Sequence, residues 1–288
     1  MAKVKPVLGV RGSVFDENRE PKAKKRGKDF IKFLGTAGAR FVMIRQLRSS
    51  GGIWVAYKGT NVLIDPGPGS LVRCSSSRPK LDPTRLDAVI VTHRHLDHVN
   101  DVNVMIEAMT AGGFKRRGVL FCPEDAINED PVILKHARSL LERIEILEAN
   151  KNYRVDNFEF QTSMKHIHPV STYGLKFNIP VKGGFASGGR NTSVSLLTDT
   201  RYFKELADFY KTDILIICIV FFEPRPEVDH MCLIDAENLI RQIKPKRAIL
   251  THFGMSMLRA KPQIQAAELS NKLGIEVVAA YDGMTLEF

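Results

Sequence analysis

The chain has little cysteine, a single tryptophan and no long apolar run, and each shortage removes a class of protein. Four cysteines, Cys74, Cys122, Cys218 and Cys232, are scattered through 288 residues with no Cys-x-x-Cys pair. Such a set builds neither a disulfide framework nor a thiolate zinc site and suits reduced thiols in the cytoplasm. Cys232 lies two residues beyond His230 and is the one thiol placed to approach a functional site. The longest apolar stretch, Ile214 to Phe222, is nine residues. A membrane-spanning helix needs about 20, so this run reads as a buried strand and no membrane association is expected. The N-terminus also lacks the basic, apolar and small-residue sections of a secretory leader, which again predicts a cytoplasmic protein. Trp54, the lone tryptophan, is expected in the core.

Acidic residues are the minority charge: 32 Asp and Glu face 42 Lys and Arg, for a formal net charge of +10. That excess suits an anionic substrate, either a small molecule or a nucleotide or nucleic acid. Half of it sits in residues 1–29, where nine Lys or Arg meet four Asp or Glu. This segment reads as a basic, solvated N-terminal extension, with attraction for phosphate or nucleic acid as its sharper alternative. Residues 30–288 read as one domain, and a hydrophobic fraction of 44% is ample for its core.

Against this background one stretch stands out. His93-Arg94-His95-Leu96-Asp97-His98 sets four metal-ligand side chains within six residues. It follows Leu86 to Thr92, an apolar β-branched run that reads as a buried strand. The ligands therefore stand where a rigid element gives way to a loop. Imidazole and carboxylate suit a borderline divalent ion such as zinc. Three imidazoles and a carboxylate exceed what one open catalytic zinc takes from a single loop, so two metals are expected.

Further ligand types recur at the ends of other apolar runs. Asp65 closes Asn61-Val62-Leu63-Ile64 before the turn Pro66-Gly67-Pro68-Gly69, and His168 follows a strand-like run from Phe158 to Met164. Asp199 follows Val194 to Thr198, and His252 follows Ala248 to Thr251. In this order the residues resemble the five motifs of the metallo-β-lactamase-fold hydrolases, from about Phe30 to the closing Ala280-Tyr281-Asp282-Gly283-Met284. The resemblance implies a four-layer αββα sandwich of the α/β class. It implies that His93, His95 and His168 hold one divalent metal and that Asp97, His98 and His252 hold the other. Asp199 would bridge them, and Asp65 would stand behind a ligand or the loop rather than bind metal. Zinc is the first choice, with manganese or iron as alternatives. In the family pattern the ligand comes six residues before the glycine of a Tyr-Gly turn, here Gly174, which selects His168 over His166. His166 then reads as a half-buried strand residue.

Two such ions would activate a water by lowering its pKa from 15.7 toward about 7. Attack at phosphorus is favoured by Phe33-Leu34-Gly35-Thr36-Ala37-Gly38 and Ser49-Ser50-Gly51-Gly52, which resemble the opening of the ribonuclease Z and cyclic-phosphodiesterase branch. His230, 22 residues before His252, resembles that branch's His-Ser/Thr element, although Met231 stands at the Ser/Thr position. In this reading Asp97 and His230 take part in catalysis, and His230 is a general acid for the departing oxygen. Only thirty residues separate His168 from Asp199, too few for the protruding arm of ribonuclease Z proteins, so a small or nucleotide-type phosphodiester is the expected substrate. The alternatives are a carboxyl-ester, thioester or lactone hydrolase on the same metals, or a non-catalytic nucleic-acid-binding protein. A homo-oligomer is compatible with the sequence. Arg45, Arg48, Lys182 and Arg190 are candidate phosphate clamps, and Gly183, Gly184, Gly188 and Gly189 a candidate phosphate-cradling loop.

Helices are expected over Asn100–Ala111, Ile133–Glu148, Arg201–Tyr210, Leu233–Ile243 and Lys261–Leu273. Strands are expected at Phe30–Leu34, Gly52–Tyr57 and Val62–Ile64, besides those that carry the ligands.

Overall fold

Alternation of apolar side chains along the strands gives each of two sheets an inner and an outer face. In the computed structural model, residues 28–128, 130–180 and 191–288 are described. The first sheet contains β1 (Phe30–Phe33), β2 (Ile53–Tyr57), β3 (Thr60–Ile64), β4 (Ala88–Ile90), β5 (Val119–Cys122) and β6 (Arg143–Ile146). The second runs from β7 (Asn152–Val155) through β8 (Phe158–Lys165), β9 (Tyr173–Pro180), β10 (Asn191–Leu197), β11 (Ile214–Cys218) and β12 (Arg247–Thr251) to β13 (Glu276–Ala279). The last strand, β14 (Thr285–Glu287), returns to pair antiparallel with β1 and completes the first sheet. Along β3, Val62 and Ile64 enter the space between the sheets while Leu63 faces outward, the period-two pattern of a pleated strand.

The interior layer is built largely from these inward residues, and Phe121, Tyr153 and Phe160 form its aromatic centre. Phe121 meets Phe160 edge-on at 5.1 Å between ring centroids, and Tyr153 stacks on Phe160 at 5.2 Å. Helices cover the outer faces. α1 (Ala39–Ile44), α2 (Ser70–Ser76), α3 (Leu96–Val99), α4 (Val102–Met109) and α5 (Lys135–Ser139) belong to the first half. α6 (Leu206–Phe209), α7 (Leu233–Ile243), α8 (Met255–Arg259) and α9 (Pro262–Leu273) belong to the second. Val102, Met105, Ile106 and Met109 of α4 pack on the outer face of the first sheet with Trp54. Leu239, Ile240 and Ile243 of α7, with Ala266 and Leu269 of α9, pack on the second. The result is the expected αββα sandwich. No helix among the described residues is long and apolar enough to cross a membrane.

Two helix expectations are corrected. Residues 133–148 form the short α5 and then β6, which pairs in parallel with β5. Arg143-Ile144-Glu145-Ile146 alternates with period two, and the open edge of β5 satisfies its backbone better than a continued helix would. Residues 201–210 are helical only over α6. The Arg201 N–H donates to Ile167 O at 3.0 Å and its guanidinium pairs with Asp229, so this end of the segment is tied down elsewhere. The run from Ile214 is strand only to Cys218. Residues 1–27 and the glycine-rich loop with Lys182 and Arg190 lie outside the described residues.

Strand direction determines where the chemistry collects. β3 to β6 are parallel, and so are β10 to β13. β9 is antiparallel to both β8 and β10, so β8 runs with β10. A bulge between Thr162 and Lys165 shifts the register of β8 on β9, and the pairing resumes at Lys165 with Tyr173.

Phe160→Ala is expected to lower unfolding free energy by about 3–5 kcal/mol through loss of buried aromatic contacts and the cavity left behind. Denaturant melts of the two proteins check this, and a loss well under about 1 kcal/mol would mean that the interior layer repacks freely.

Candidate metal centre

Asp65 follows β3, the His93–His98 loop follows β4, His168 follows β8, Asp199 follows β10, His230 follows β11 and His252 follows β12. Parallel strands bring these carboxyl ends to one edge of the molecule, where binding sites of parallel sheets form. Asp65 and His252 adopt left-handed backbone, with φ of 52° and 61°. Non-glycine residues pay for that conformation, and it is concentrated at functional sites. Gly67 lets the loops close in: a Cβ there would lie 2.0 Å from Ser50 O and 2.1 Å from Asp97 O.

Two groups of potential donors meet at this edge, one of His93, His95, His168 and Asp199, the other of Asp97, His98, Asp199 and His252. Asp199 belongs to both. His95 Nδ1 lies 3.0 Å from His168 Nε2, and His98 Nε2 lies 2.9 Å from His252 Nε2. Carboxylate oxygens stand close to the rings, with Asp199 Oδ2 3.7 Å from His93 Nε2 and 3.5 Å from His98 Nε2. Asp199 Oδ1 is 3.3 Å from His252 Nδ1, and Asp97 Oδ2 is 3.3 Å from His252 Nε2. Donors about 2.0–2.2 Å from one tetrahedral ion sit roughly 3.3–3.6 Å apart, so this spacing suits cations.

The outer hydrogen bonds fix which ring nitrogen faces inward. His98 Nδ1 lies 3.0 Å from Asp65 Oδ2, and a carboxylate only accepts, so that nitrogen carries the proton. His168 Nδ1 likewise donates to Asp229 O at 3.0 Å. Thr92 Oγ1 donates to Asp65 Oδ2 at 2.7 Å and, 3.1 Å from His93 Nδ1, accepts from that ring. Nε2 of His93, His98 and His168 is thereby the ring nitrogen turned to the cluster, the orientation that a metal ligand needs. His93 Nε2, Asp199 Oδ1 and His252 Nδ1 are buried with no hydrogen-bond partner. Such orphaned atoms are costly unless an ion satisfies them, so the residues present fit divalent metal.

Electrostatics agree. Burial raises the carboxyls of Asp97 and Asp199, but the surrounding imidazoles outweigh it and hold both below the usual range. Burial lowers His98, yet the carboxylates of Asp97 and Asp65 prevail and hold it well above the ordinary imidazole value. Burial and then neighbouring imidazoles push His93 far down and His95 to about 4. The edge therefore keeps its carboxylates ionised beside neutral His93 and His95 and a charged His98, whose inner proton a bound cation would displace.

The chain matches the family model described as "Beta-lactamase superfamily domain" over residues 60–253. It belongs to the beta-lactamase superfamily. It is 33% identical over 265 residues to an uncharacterized protein of Methanocaldococcus jannaschii, covering 89% of this chain and 94% of that one. It is 25% identical over 320 residues to ribonuclease Z of Borrelia garinii subsp. bavariensis, covering 89% and 96%. Among solved structures it is similar to the metallo-β-lactamase fold protein YhfI of Bacillus subtilis, with TM-score 0.69, 19% identity and coverage of 91% and 100%. The superfamily chain is thus a metal-dependent hydrolase of the metallo-β-lactamase fold, near ribonuclease Z.

The structure brings together all seven residues that the sequence picked as ligands, and Asp65 stands behind His98 and Thr92. His230 faces the same edge, its Nδ1 3.5 Å from Asp199 Oδ2 and its ring 5.2 Å from that of His168. His166 is not the half-buried strand residue expected. It lies past the end of β8, only 3% exposed, and its ring turns inward. Cys232 caps α7, where its N–H donates to Asp235 Oδ2 at 2.9 Å, and Cys218 is the thiol that lines the cavity with Asp97, His98 and His252. Arg48 is no free clamp, because it donates to Thr36 Oγ1 and Ala280 O. Met231 is core.

Sequence reading missed Asp229, whose contribution is a backbone carbonyl and leaves no side-chain signal. It also missed the task of Asp282, whose carboxylate accepts from Thr36 N and Oγ1 and from Ser49 N at 3.0, 2.7 and 2.8 Å. These bonds tie the two glycine- and serine-rich loops to the C-terminal turn. Asp282→Ala is expected to cost about 1.5–3 kcal/mol of stability, the worth of a charged acceptor whose donors are left unpaired. An unchanged denaturation midpoint would show that the loops hold without it.

Proposed function

We propose that this chain is a dinuclear phosphodiesterase acting on a small or nucleotide-type phosphodiester. The observation that supports it most is the Asp199 carboxylate, shared by two four-residue donor groups with His230 beside it. His93, His95 and His168 with Asp199 would hold one ion, and Asp97, His98 and His252, also with Asp199, would hold the second. When bound, such a pair supplies Lewis acidity to water and to phosphoryl oxygens. Zinc suits the imidazole-rich set best, with manganese or iron as alternatives. The four cysteines are buried free thiols, in keeping with a reducing, cytoplasmic setting.

The residues around the donors do the remaining work. Asp65 orients His98, and the Asp229 carbonyl orients His168. Arg201 clamps Asp229 at 2.8 Å and so steadies the loop that carries His230. His230 is the general acid of this reading, holding a proton for the departing alkoxide. Burial lowers its pKa and Asp199 offsets part of that effect; an arriving phosphate anion favours the imidazolium further. The likeness to a protein named ribonuclease Z supports phosphorus over carbonyl chemistry. A small substrate is supported by the short interval between His168 and Asp199, where β9, β10 and ten residues outside the described set lie.

Purified protein is expected to carry two divalent ions per chain. Asp199→Ala should release both and abolish turnover, whereas Asp65→Ala should cost about 10–100-fold, the usual effect of a group behind a ligand. Elemental analysis showing a folded, metal-free wild type sinks the metal reading, and equal damage from both variants sinks the division of roles.

His230→Ala should keep both ions but slow hydrolysis of an alkyl phosphodiester by about 10²–10⁴-fold, while a nitrophenyl ester, whose leaving group needs little protonation, loses much less. The same panel should include a cyclic nucleotide, a thioester and a lactone. Faster turnover of the thioester or lactone than of every phosphodiester would transfer the enzyme to carbonyl chemistry. Equal rate ratios near one would remove His230 from the reaction.

A further inference from the structure

One buried imidazole beside the donor groups belongs to neither of them. His166 has Nδ1 3.0 Å from the backbone oxygen of Asp199 and Nε2 2.6 Å from Tyr210 Oη. A carbonyl only accepts, so Nδ1 carries the proton. Nε2 then offers a lone pair, and the Tyr210 hydroxyl donates to it. The two bonds form a directed chain from Tyr210 through His166 to the main chain of Asp199. Both residues are buried, Tyr210 completely, and solvent does not compete for these bonds.

We propose that His166, oriented by Tyr210, is a positioning residue that fixes the main chain of Asp199 and so aims the carboxylate shared by the two donor groups. The proposal rests on the dinuclear reading of the site. Asp199 lies past the end of β10, where the sheet ladder no longer holds it. The His166 bond takes over there, and two others join it. Ile167 N donates to Thr200 Oγ1 at 3.2 Å, and Arg201 N donates to Ile167 O at 3.0 Å. The segments 166–167 and 199–201 are thereby laced side by side, and His168 follows directly on one of them. His168 and Asp199, members of one donor group, are held in mutual register by this lacing.

Space for the device comes from Gly174. A Cβ built there would lie 1.7 Å from the Tyr210 hydroxyl oxygen, so any larger residue displaces the group that orients His166. The bend of the chain over residues 167–170 supplies the other requirement, because residue 166 enters the interior while residue 168 enters the site.

The test uses the full chain loaded with cobalt(II), whose visible spectrum reports ligand geometry. Three variants are compared with wild type: His166→Leu, which removes both bonds; His166→Asn, whose amide N–H restores a donor toward Asp199; and Tyr210→Phe, which removes the orienting hydroxyl. Chelator competition is expected to show cobalt affinity about 10–100-fold weaker in His166→Leu, as for other groups behind a ligand. The visible bands should shift, and kcat should fall with KM nearly unchanged. His166→Asn should recover most of the affinity, and Tyr210→Phe should fall between. If the variants melt at lower temperature yet keep wild-type cobalt affinity and spectrum, His166 is only structural and the proposal is overturned. If His166→Leu does not fold, Tyr210→Phe and His166→Asn decide by the same two readouts. Wild type that binds no cobalt overturns both this proposal and the metal reading. Wild type that binds two ions but hydrolyses no phosphodiester overturns the substrate reading alone, and cobalt affinity still judges His166.

Discussion

Three carboxylates, Asp65 and Asp199 buried and Asp97 half-buried, lie against a set of imidazoles at one edge of two sheets, and the rest of the structure answers to that arrangement. An ionised carboxylate removed from water is expensive unless positive charge and hydrogen bonds compensate it. Here the compensation is partial within the protein: His98 is held protonated, while His93 and His95 are held neutral. The remaining deficit is what makes the site attractive to divalent cations. The same deficit explains why several donor atoms are left without protein partners.

Such a site needs rigid support, because its groups repel one another when no cation separates them. The support is a sandwich with three apolar layers. The interior layer of Phe121, Tyr153, Phe158, Phe160 and Phe177 locks the sheets face to face, and the two helix-covered layers back them from outside. Parallel pairing aligns the strand ends, so every loop that leaves a strand at that edge can contribute one side chain. The stability of the apolar layers offsets the cost of the polar edge, and positive φ at Asp65 and His252 is one visible part of that cost.

Around the donors the loops hold one another through main-chain groups as much as through side chains. Asp282 joins the Thr36 and Ser49 loops, Asp229 supports His168, and His166 grips Asp199. Each of these contacts spans elements distant in sequence. They turn a collection of loops into a frame with fixed donor directions, and they leave His230 half-buried beside Asp199.

Much of the site was legible in the chain because ligand chemistry limits residue choice. Only His, Asp, Glu and Cys serve, so their placement after apolar β-branched runs at Asp65, His93, His168, Asp199 and His252 carries information that survives without coordinates. Several strands were legible as apolar β-branched runs, while the two-sheet sandwich followed from the family resemblance. Other features were not. Arg143–Ile146 became a strand because the neighbouring edge of β5 was open, a fact of pairing rather than propensity. His166 and His168 are the same residue type two positions apart, and the bend at residues 167–170 sends one ring inward and the other to the donors. Asp229 acts through an atom that every residue possesses. The sequence by itself determined the candidate donors and several of the strands that carry them, since both depend on side-chain chemistry and its spacing. Tertiary structure decided which ring nitrogen faces the cluster and which backbone carbonyl holds it. Those depend on contacts between segments that meet only when the sheets close.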